Sequence, residues 1–383
     1  MRGGIDVTAA VARSAAVARS AAVARSAAVA RSAAVARSAA VAIACWGRAA
    51  LVAVVLGTVV VLSSPGASTP PAGAATGPAA TRCTVATGPQ AADGYWLTGS
   101  DGGVFAYGSA QYEGSMGSRR LAAPVVGIAG AGDNGYWLAA TDGGVFAFGC
   151  AAFAGSMAGQ MGGVPITGIT ATPAGVGYWL VSRQGGVYAF GSARYFGSLP
   201  GLGVHVDDIV AMAATEDGGG YWLVGADGGV FAFGDARYFG NASGIASGTR
   251  GSPIVGIAGF YASGTKPGSS AFGAEGGYWI VAANGAVGTF GAAPAWGSMA
   301  GTHLNAPMVA VAAVPYTTVC GINAGGTDPA GFWLGAADGG MFGFGDAGFK
   351  GTASTTNLAA PIVAIAAVPK NPGAACPPGY PPS

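Results

Sequence analysis

The chain is poor in charge and in the residue types that carry most enzyme chemistry. Only 9% of its 383 residues are charged, and its two histidines are His205 and His303. Neither histidine has a second ligand at metal-binding spacing, so we expect no metal site. No G-x-S-x-G or P-loop signature is present, and no nucleophile has an obvious base. The sequence therefore predicts no cofactor and no catalytic residue.

The few charges are unevenly distributed along the chain. Seven of the 17 basic residues precede residue 49, against one acidic residue, Asp6. The remainder holds 10 basic and 15 acidic residues, a net charge of −5. Because nucleic-acid binding needs a basic footprint, we expect no nucleic-acid partner.

No apolar run is long enough for a typical membrane-spanning helix. The run Ala49–Leu62 has 14 residues, whereas a span needs about 20. The AAVARS hexamers before it spread their arginines around any helix, so an amphipathic membrane helix is a poor interpretation. Small residues follow at Ala72 and Ala74, as at a signal cleavage site. We therefore expect a low-complexity n-region at 1–48 and a signal segment at 49–74 in a secreted or cell-envelope protein; a retained anchor is the alternative.

Cysteine is also scarce, with five in the chain. Cys45 would leave with the signal. An even number of cysteines in an oxidising compartment predicts disulfides, with three possible pairings. Of these we favour Cys83–Cys376, which joins the chain ends. The four remaining candidates are Cys83, Cys150, Cys320 and Cys376.

Glycine, by contrast, is abundant. The chain has 71 glycines, and many of them recur at fixed positions of an internal repeat. A G-[YF]-W motif leading to a DGG-like turn starts at Gly94, Gly135, Gly177, Gly220, Gly277 and Gly331. An aromatic residue near a glycine follows each copy: Tyr112, Phe153, Tyr195, Tyr238, Trp296 and Phe349. A β-branched segment such as PVVGIAG then precedes the next copy. This order predicts four short strands per period.

The period indicates the fold. The DGG turn has the positive-φ positions of a tight hairpin, so the strands pair antiparallel. Both faces of each hairpin are apolar, and such a sheet needs a neighbour on each side. Repeats of about 40–45 residues are typical of β-propeller blades. We expect an all-β propeller whose aromatic residues press against the small residues of the next blade; a β-solenoid is the competing fold.

Blade number follows from the copies and the chain ends. The chain enters at the second strand of a blade, and a surplus first strand, Ala360–Pro369, completes blade one. This predicts six blades; RCTVATGPQ before Gly94 is a rival closing strand, and seven blades an alternative. We expect a monomer with a linker and possible edge strand at 75–93, the propeller at 94–369 and a Pro-rich tail at 370–383. The predicted repeats are 94–134, 135–176, 177–219, 220–276, 277–330 and 331–369.

The pattern P-hydrophobic-V-G-I-A…GYWL-x-x-x-DGGVFAFGDA-x-[YF]-x-GS resembles the propeller-type repeats of secreted bacterial proteins, often found beside cell-wall hydrolase domains. It is more distantly similar to regulator-of-chromosome-condensation propeller repeats. The resemblance covers roughly 82–369 and implies an extracellular propeller, without an established activity. Repeats three and five depart from the DGG signature at Gln184 and at Asn284–Gly285–Ala286.

Recurrent acids and tryptophans are interpreted as structural. An aspartate alone before two glycines is typical of a turn and lacks the clustered oxygen donors of a calcium loop; these are Asp101, Asp142, Asp227 and Asp338. The adjacent pairs Asp207–Asp208 and Glu216–Asp217 would point apart on a strand, against a hydrolase dyad. Tryptophans that recur in every blade favour packing over sugar stacking.

The predicted site lies in surplus loops. Repeats four and five exceed their template by 10 or more residues, at Gly259–Gly276 and Val314–Gly331, and such loops on a rigid scaffold often bind ligands. Insertions without a ligand are the alternative. The candidate ligand-binding residues are Phe260, Tyr261, Lys266, Tyr316, Asn323 and Asp328.

These observations favour a non-enzymatic binding or scaffold module for cell-wall glycan or an extracellular protein. The alternative is an extracellular propeller hydrolase or lyase acting on glycan, with carboxylates that meet at the axis. That alternative requires two acids near the central channel, and the innermost strands carry none.

Overall fold

Nearly all regular structure in the computed structural model is β-strand. The structure describes residues 94–132, 135–248, 251–260, 276–315 and 331–369. The first nine strands are β1 (Gly94–Gly99), β2 (Val104–Gly108), β3 (Val125–Ala131), β4 (Gly135–Ala140), β5 (Val145–Gly149), β6 (Ile166–Ala171), β7 (Gly177–Ser182), β8 (Val187–Gly191) and β9 (Ile209–Ala214). The others are β10 (Gly220–Gly225), β11 (Val230–Gly234), β12 (Ile254–Phe260), β13 (Gly277–Ala282), β14 (Val287–Gly291), β15 (Met308–Ala313), β16 (Gly331–Ala336), β17 (Met341–Gly345) and β18 (Ile362–Ala367). Two connections between blades contain short helical structure: a 3-10 turn (Pro200–Leu202) between β8 and β9, and a helix, α1 (Ser243–Gly248), between β11 and β12.

The strands form six antiparallel sheets, which are the blades. Each sheet has an inner, a middle and an outer strand, in the orders β18-β1-β2, β3-β4-β5, β6-β7-β8, β9-β10-β11, β12-β13-β14 and β15-β16-β17. The GYW segments form the middle strands, which are buried along their whole length, for example β4. Neighbouring blades cover both faces of each sheet, as the doubly apolar hairpins predicted.

The inner strands close a ring. Each packs against the inner strands of the two adjacent blades, and β18 packs between β15 and β3. β18 also pairs antiparallel with β1, with Ile365 opposite Leu97. The protein is therefore a six-bladed β-propeller, and residues 360–369 complete the first blade as predicted. The seven-bladed and solenoid alternatives are wrong; the rival closing strand before Gly94 lies outside the described residues.

The prediction of four strands per period is wrong for the described residues, where each sheet has three. We call the fourth segment of each repeat the outer segment. Its carbonyl groups accept hydrogen bonds from side chains instead of from a neighbouring strand. In blade one Trp96 Nε1 donates to Gln111 O at 2.7 Å, and Tyr136 of the next blade donates to Gly114 O. A β-carbon on Gly114 would lie 2.9 Å from Phe148, which explains the glycine. Specific side-chain anchors thus replace ladder pairing.

Aromatic pairs fill the interfaces between blades. The middle-strand tryptophan of one blade packs on the middle-strand Tyr or Phe of the next, with ring centroids 5.0–5.8 Å apart. Trp333 on Tyr95 repeats this contact across the closure, at 5.2 Å. Such pairs add about 0.5–1.5 kcal/mol each beyond burial. The predicted contact of aromatic residues with small residues of a neighbouring blade is also present, for example between Phe148 and Gly114, so ring-on-ring packing adds to it.

The two faces of the ring differ. The turn face carries the tight turns between middle and outer strands, and the loop face carries the connections from inner to middle strands. No helix in the described residues is long and apolar enough to cross a membrane. The predicted signal segment, linker and tail lie outside these residues.

Candidate functional site

Large exposed aromatic side chains encircle the propeller, one in the outer segment of each blade. They are 46–62% exposed, whereas the middle-strand tryptophans are at most 3% exposed. We call them the rim aromatics: Tyr112, Phe153, Tyr195, Tyr238, Trp296 and Phe349. The tryptophan packing predicted from the sequence is confirmed, and the solvent-facing rings belong to this second set.

In five of the six blades the backbone on both sides of the rim aromatic is anchored. In blade three Trp179 Nε1 donates to the carbonyl of Arg194 at 2.7 Å, directly before Tyr195. Directly after it, the amide of Phe196 donates to the hydroxyl of Tyr221 in the next blade, at 3.1 Å. The rim ring therefore projects from a segment held to two blades, so binding at this ring would require little further ordering of the backbone.

Three rim tyrosines are also oriented by their hydroxyl groups. Tyr112 donates to Ser115 Oγ at 3.1 Å and Tyr195 to Ser198 Oγ at 3.0 Å. The hydroxyl of Tyr238 accepts from Asn241 Nδ2 at 3.1 Å. These local contacts leave the ring face open while they restrict its rotation.

Blade five departs from the rim pattern by one residue. In the other blades the rim aromatic stands two residues before the outer-segment glycine, as Phe153 does before Gly155. In blade five Ala295 takes that place and Trp296 follows it, directly before Gly297. Trp296 is nevertheless 46% exposed, so the ring is present in all six blades despite the shift.

The central channel has a cavity volume of about 500 Å³ and is lined by the six inner strands. The second residue of each inner strand is half-buried and forms a ring towards the turn face: Val126, Thr167, Val210, Val255, Val309 and Val363. Gly and Ala line most of the remainder. Among the described residues that line the channel, Glu216 is the ionisable one, and it lies at the loop face between β9 and β10.

The neighbouring carboxyl groups form a cluster in the same loop. Burial raises the pKa of Glu216, and the charge of Asp217 raises it further. Asp217 accepts hydrogen bonds from Thr215 Oγ1 at 2.8 Å and from the Gly219 amide at 2.9 Å. Although partial burial acts in the opposite direction, these bonds and one from Asp235 lower the pKa of Asp217. The pKa of Asp235 is raised by burial, by its hydrogen bond to Asp217 and by that residue's charge.

This geometry does not match a glycosidase pair. Asp217 and Asp235 both accept a hydrogen bond from the Thr215 hydroxyl, at 2.8 and 3.2 Å, so the two carboxyl groups converge on one side chain, whereas glycosidase carboxyl groups flank a substrate about 5–9.5 Å apart. Their bonds to Thr215 and the Gly219 amide instead tie the β9–β10 loop to the end of β11. The cluster therefore stabilises the β9–β10 loop.

The recurrent turn acids are also structural. Each accepts a hydrogen bond from the backbone amide two residues on, at 2.7–2.9 Å, as Asp227 does from Gly229. Asn284 makes the same contact with Ala286 at 3.0 Å. On the turn face Asp207 lies 3.5 Å from Arg183 in an ion pair. No group of His, Cys, Asp or Glu within the described ranges is arranged to hold a metal ion.

Of the loop residues predicted to bind ligand, the structure describes Phe260. It ends β12, is half-buried and packs edge-on against Trp279 with ring centroids 5.3 Å apart. Tyr261, Lys266, Tyr316, Asn323 and Asp328 lie outside the described residues, so their predicted role stays a prediction. Cys150 directly follows β5 on the loop face; the other three candidate cysteines also lie outside the described residues.

The rim was missed as a site although its residues were recognised as a repeat. The sequence did not show which aromatic residues are exposed. Tyr195 and Phe196 are adjacent aromatics, yet the first is exposed and the second is half-buried against Tyr221. A usable signal was present, because the residues that flank the rim aromatics differ between most blades, blades three and four excepted, while an aromatic residue is kept.

No protein-family model matches the chain, and no curated protein matches it. The solved structures that are similar to it at low identity include the following two. One is a chain of a mitotic checkpoint complex, 10% identical over 57% of this chain, with a TM-score of 0.34. The chain spans 61% of that structure's length.

The second is a chain of a nidogen/laminin complex, 9% identical, with a TM-score of 0.41, covering 72% of this chain and 99% of that one. These values assign neither a family nor a function to the protein. The six-bladed propeller stands on the sheets and the ring closure described above.

Proposed function

We propose that the protein is a non-enzymatic binding propeller of the cell envelope or extracellular space, and that its rim aromatics bind a glycan polymer such as that of a cell wall. The observation that carries the proposal is an exposed, anchored aromatic ring in each of the six blades. A single exposed aromatic needs no explanation. Recurrence of such a ring in every blade does need one, because none of these rings belongs to the buried clusters that pack the blades.

The distribution of the rings favours a glycan over a protein partner. A stable protein interface needs one continuous patch of roughly 800 Å² on each partner, whereas the rim rings stand in six different blades. A polymer of flat rings meets such platforms one after another, and weak contacts then add through effective concentration. Tyr and Trp suit this task because an apolar face is combined with a polar edge.

Export is part of the proposal. It is supported by the signal-like segment at 49–74 and by the even number of cysteines that follow this segment. Disulfides persist in oxidising compartments. Peptide mapping of the secreted protein without reduction tests the favoured Cys83–Cys376 pair, and a different partner for either cysteine contradicts it.

The test replaces all six rim aromatics by serine and measures retention on purified cell-wall glycan and on a glycan array. We expect retention to fall by at least about tenfold because avidity is lost, with an unchanged melting temperature because the rings are exposed. Val176→Ser is the control, since this apolar side chain is also exposed but lies in the loop between β6 and β7, away from the rim aromatics.

Unchanged retention by the folded sextuple variant would overturn the proposal and leave the predicted loops, 259–276 and 314–331, as the candidate surface. Full loss of retention in the off-rim control would also count against it. Binding of an extracellular protein through the rim, with no retention on any glycan, would replace the glycan by a protein partner.

A further inference from the structure

Blades three and four carry the same five residues in their outer segments. The sequence Ala-Arg-Tyr-Phe-Gly occupies residues 193–197 and again residues 236–240. The other four blades have no arginine at this place. The two copies stand in adjacent blades, so two identical surface features are neighbours on the rim.

Each copy places a guanidinium group over the half-buried phenylalanine that directly follows a rim tyrosine. The Cζ atom of Arg194 lies 5.9 Å from the ring centroid of Phe196, and that of Arg237 lies 5.9 Å from the ring centroid of Phe239. Cation–π contact of this kind restrains an exposed arginine. The intervening tyrosines, Tyr195 and Tyr238, are the rim aromatics of these blades.

Buried rings support both arginines from below. Phe196 packs edge-on against Tyr221 at 5.7 Å, and Phe239 packs in the same way against Tyr278 at 5.6 Å. The tyrosines of this supporting layer are fully buried. The position of each guanidinium is therefore tied to the interface between two blades.

The two guanidinium groups have no carboxylate partner among the described residues. The ion pair found there joins Arg183 to Asp207 on the turn face. Asp235 stands two residues before Arg237, but its carboxyl group is hydrogen-bonded within the loop cluster by Thr215 and Asp217. Each arginine thus keeps its planar set of donors available for an anion.

We infer that blades three and four form a twin basic–aromatic site for an acidic glycan. Tyr195 and Tyr238 stack on sugar rings, while Arg194 and Arg237 bind carboxylate or phosphate groups that those sugars carry. Arginine suits this role because its fork matches the geometry of both anions. The inference rests on the proposed function. It assigns acidic glycans to the rim of blades three and four and neutral sugars to the rim of the other blades.

The test compares four polymers: polygalacturonate with carboxylates, phosphomannan with phosphates, neutral dextran, and oligo(dT) as an anionic polymer of flat bases without a glycan. Affinities are measured by biolayer interferometry at low and at physiological salt. We expect polygalacturonate or phosphomannan to bind more tightly than dextran, with affinity that falls as salt rises. Preference between the first two identifies the anion.

The variant Arg194→Ala/Arg237→Ala should lose about tenfold or more in affinity for the acidic glycan, as charge-assisted hydrogen bonds are lost, and nothing for dextran. Arg183→Ala is the matched control, since it removes one exposed arginine away from the rim and should bind like the parent. Arg194→Gln/Arg237→Gln repeats the test with longer side chains if the alanine variant unfolds.

An unchanged affinity of the double variant for polygalacturonate and phosphomannan would overturn the inference, as would tighter binding of oligo(dT) than of either glycan. The sextuple rim variant separates this failure from that of the proposed function. If the rim variant loses glycan while the arginine variant keeps it, the rim binds glycan without the twin site. If neither loses it, both proposals fall.

Discussion

The hydroxyl of Tyr95, in the first blade, donates a hydrogen bond of 2.6 Å to the carbonyl oxygen of Gly351, in the last. The residues are 256 positions apart, and the contact repeats between other neighbouring blades, for example from Tyr178 to Gly155. A tyrosine at the start of a middle strand thus fastens the outer segment of the preceding blade. The ring closure uses the same fastening as the interfaces inside the ring.

One interface lacks this bond, and the chain itself provides the test. Blade six has Phe332 where the others have tyrosine, so Gly297 of blade five receives no such hydroxyl. We expect Phe332→Tyr to raise the free energy of unfolding by about 0.5–1.5 kcal/mol, the net value of one hydrogen bond. Tyr278→Phe, which removes the bond to Gly240, should lower it by a similar amount. Chemical denaturation measures both, and a destabilised Phe332→Tyr would contradict the fastening.

The closing strand should be essential to the fold. Deletion of residues 360–383 removes β18 and exposes the hydrogen-bonding edge of β1, and we expect unfolding or oligomerisation. Deletion of 370–383 alone is the control and should leave a monomer with the parent's melting temperature. Size-exclusion chromatography and thermal unfolding measure the result; a longer deletion that melts like the parent would show that closure is dispensable.

The turn of blade four separates side-chain from backbone requirements. Asp227→Asn should keep the fold, because Asn284 already makes the same turn contact in blade five. Gly228→Val should destabilise strongly, since Gly228 has φ +89° and an added β-carbon would lie 2.4 Å from the Ala242 carbonyl carbon. Strain at such a position costs about 1–3 kcal/mol before the clash is counted. Thermal melts check both, and a ligand-binding role for Asp227 is indicated if Asp227→Asn stays folded but loses glycan retention.

Stability should fall at alkaline pH. Burial raises the pKa of Tyr136, Tyr221 and Tyr278 from 10.0 to about 12. Above pH 10 the unfolded chain releases these protons and the folded protein holds them, so the free energy of unfolding declines as pH rises towards 12. Below pH 10 these groups contribute no pH dependence. The triple Phe variant should be less stable at pH 8 yet show a shallower decline; an equal slope would assign the alkaline loss to other groups.

The architecture could be predicted from the sequence because it depends on local pattern and copy number. Apolar residues on both faces of a hairpin such as Gly220–Gly234 require neighbours on both sides. Six copies and one surplus strand at Ile362–Ala367 then require closure in six blades. The Asp-Gly-Gly turns could likewise be recognised, since their contacts span two residues.

The prediction that the outer segments form strands was wrong because distant parts of the fold supply their hydrogen-bond partners. Their extended, partly apolar residues are compatible with a strand, but the hydrogen-bond partners come from elsewhere in the fold. In blade two, Trp137 of the same blade donates a hydrogen bond to the carbonyl oxygen of Ala152, and Tyr178 of the next blade donates one to that of Gly155. These partners are 15 and 23 residues away from their acceptors.

Local pattern and copy number are enough to predict a closed ring of sheets, its turns and its blade count from this sequence. Which of the recurrent aromatics are exposed to solvent, by contrast, is visible only in the folded protein. Tyr238 and Phe239 have similar apolar surfaces and adjacent places in the chain. Phe239 is held by Tyr278 of the next blade, whereas Tyr238 faces solvent, because exposure depends on a neighbouring blade that local sequence does not specify.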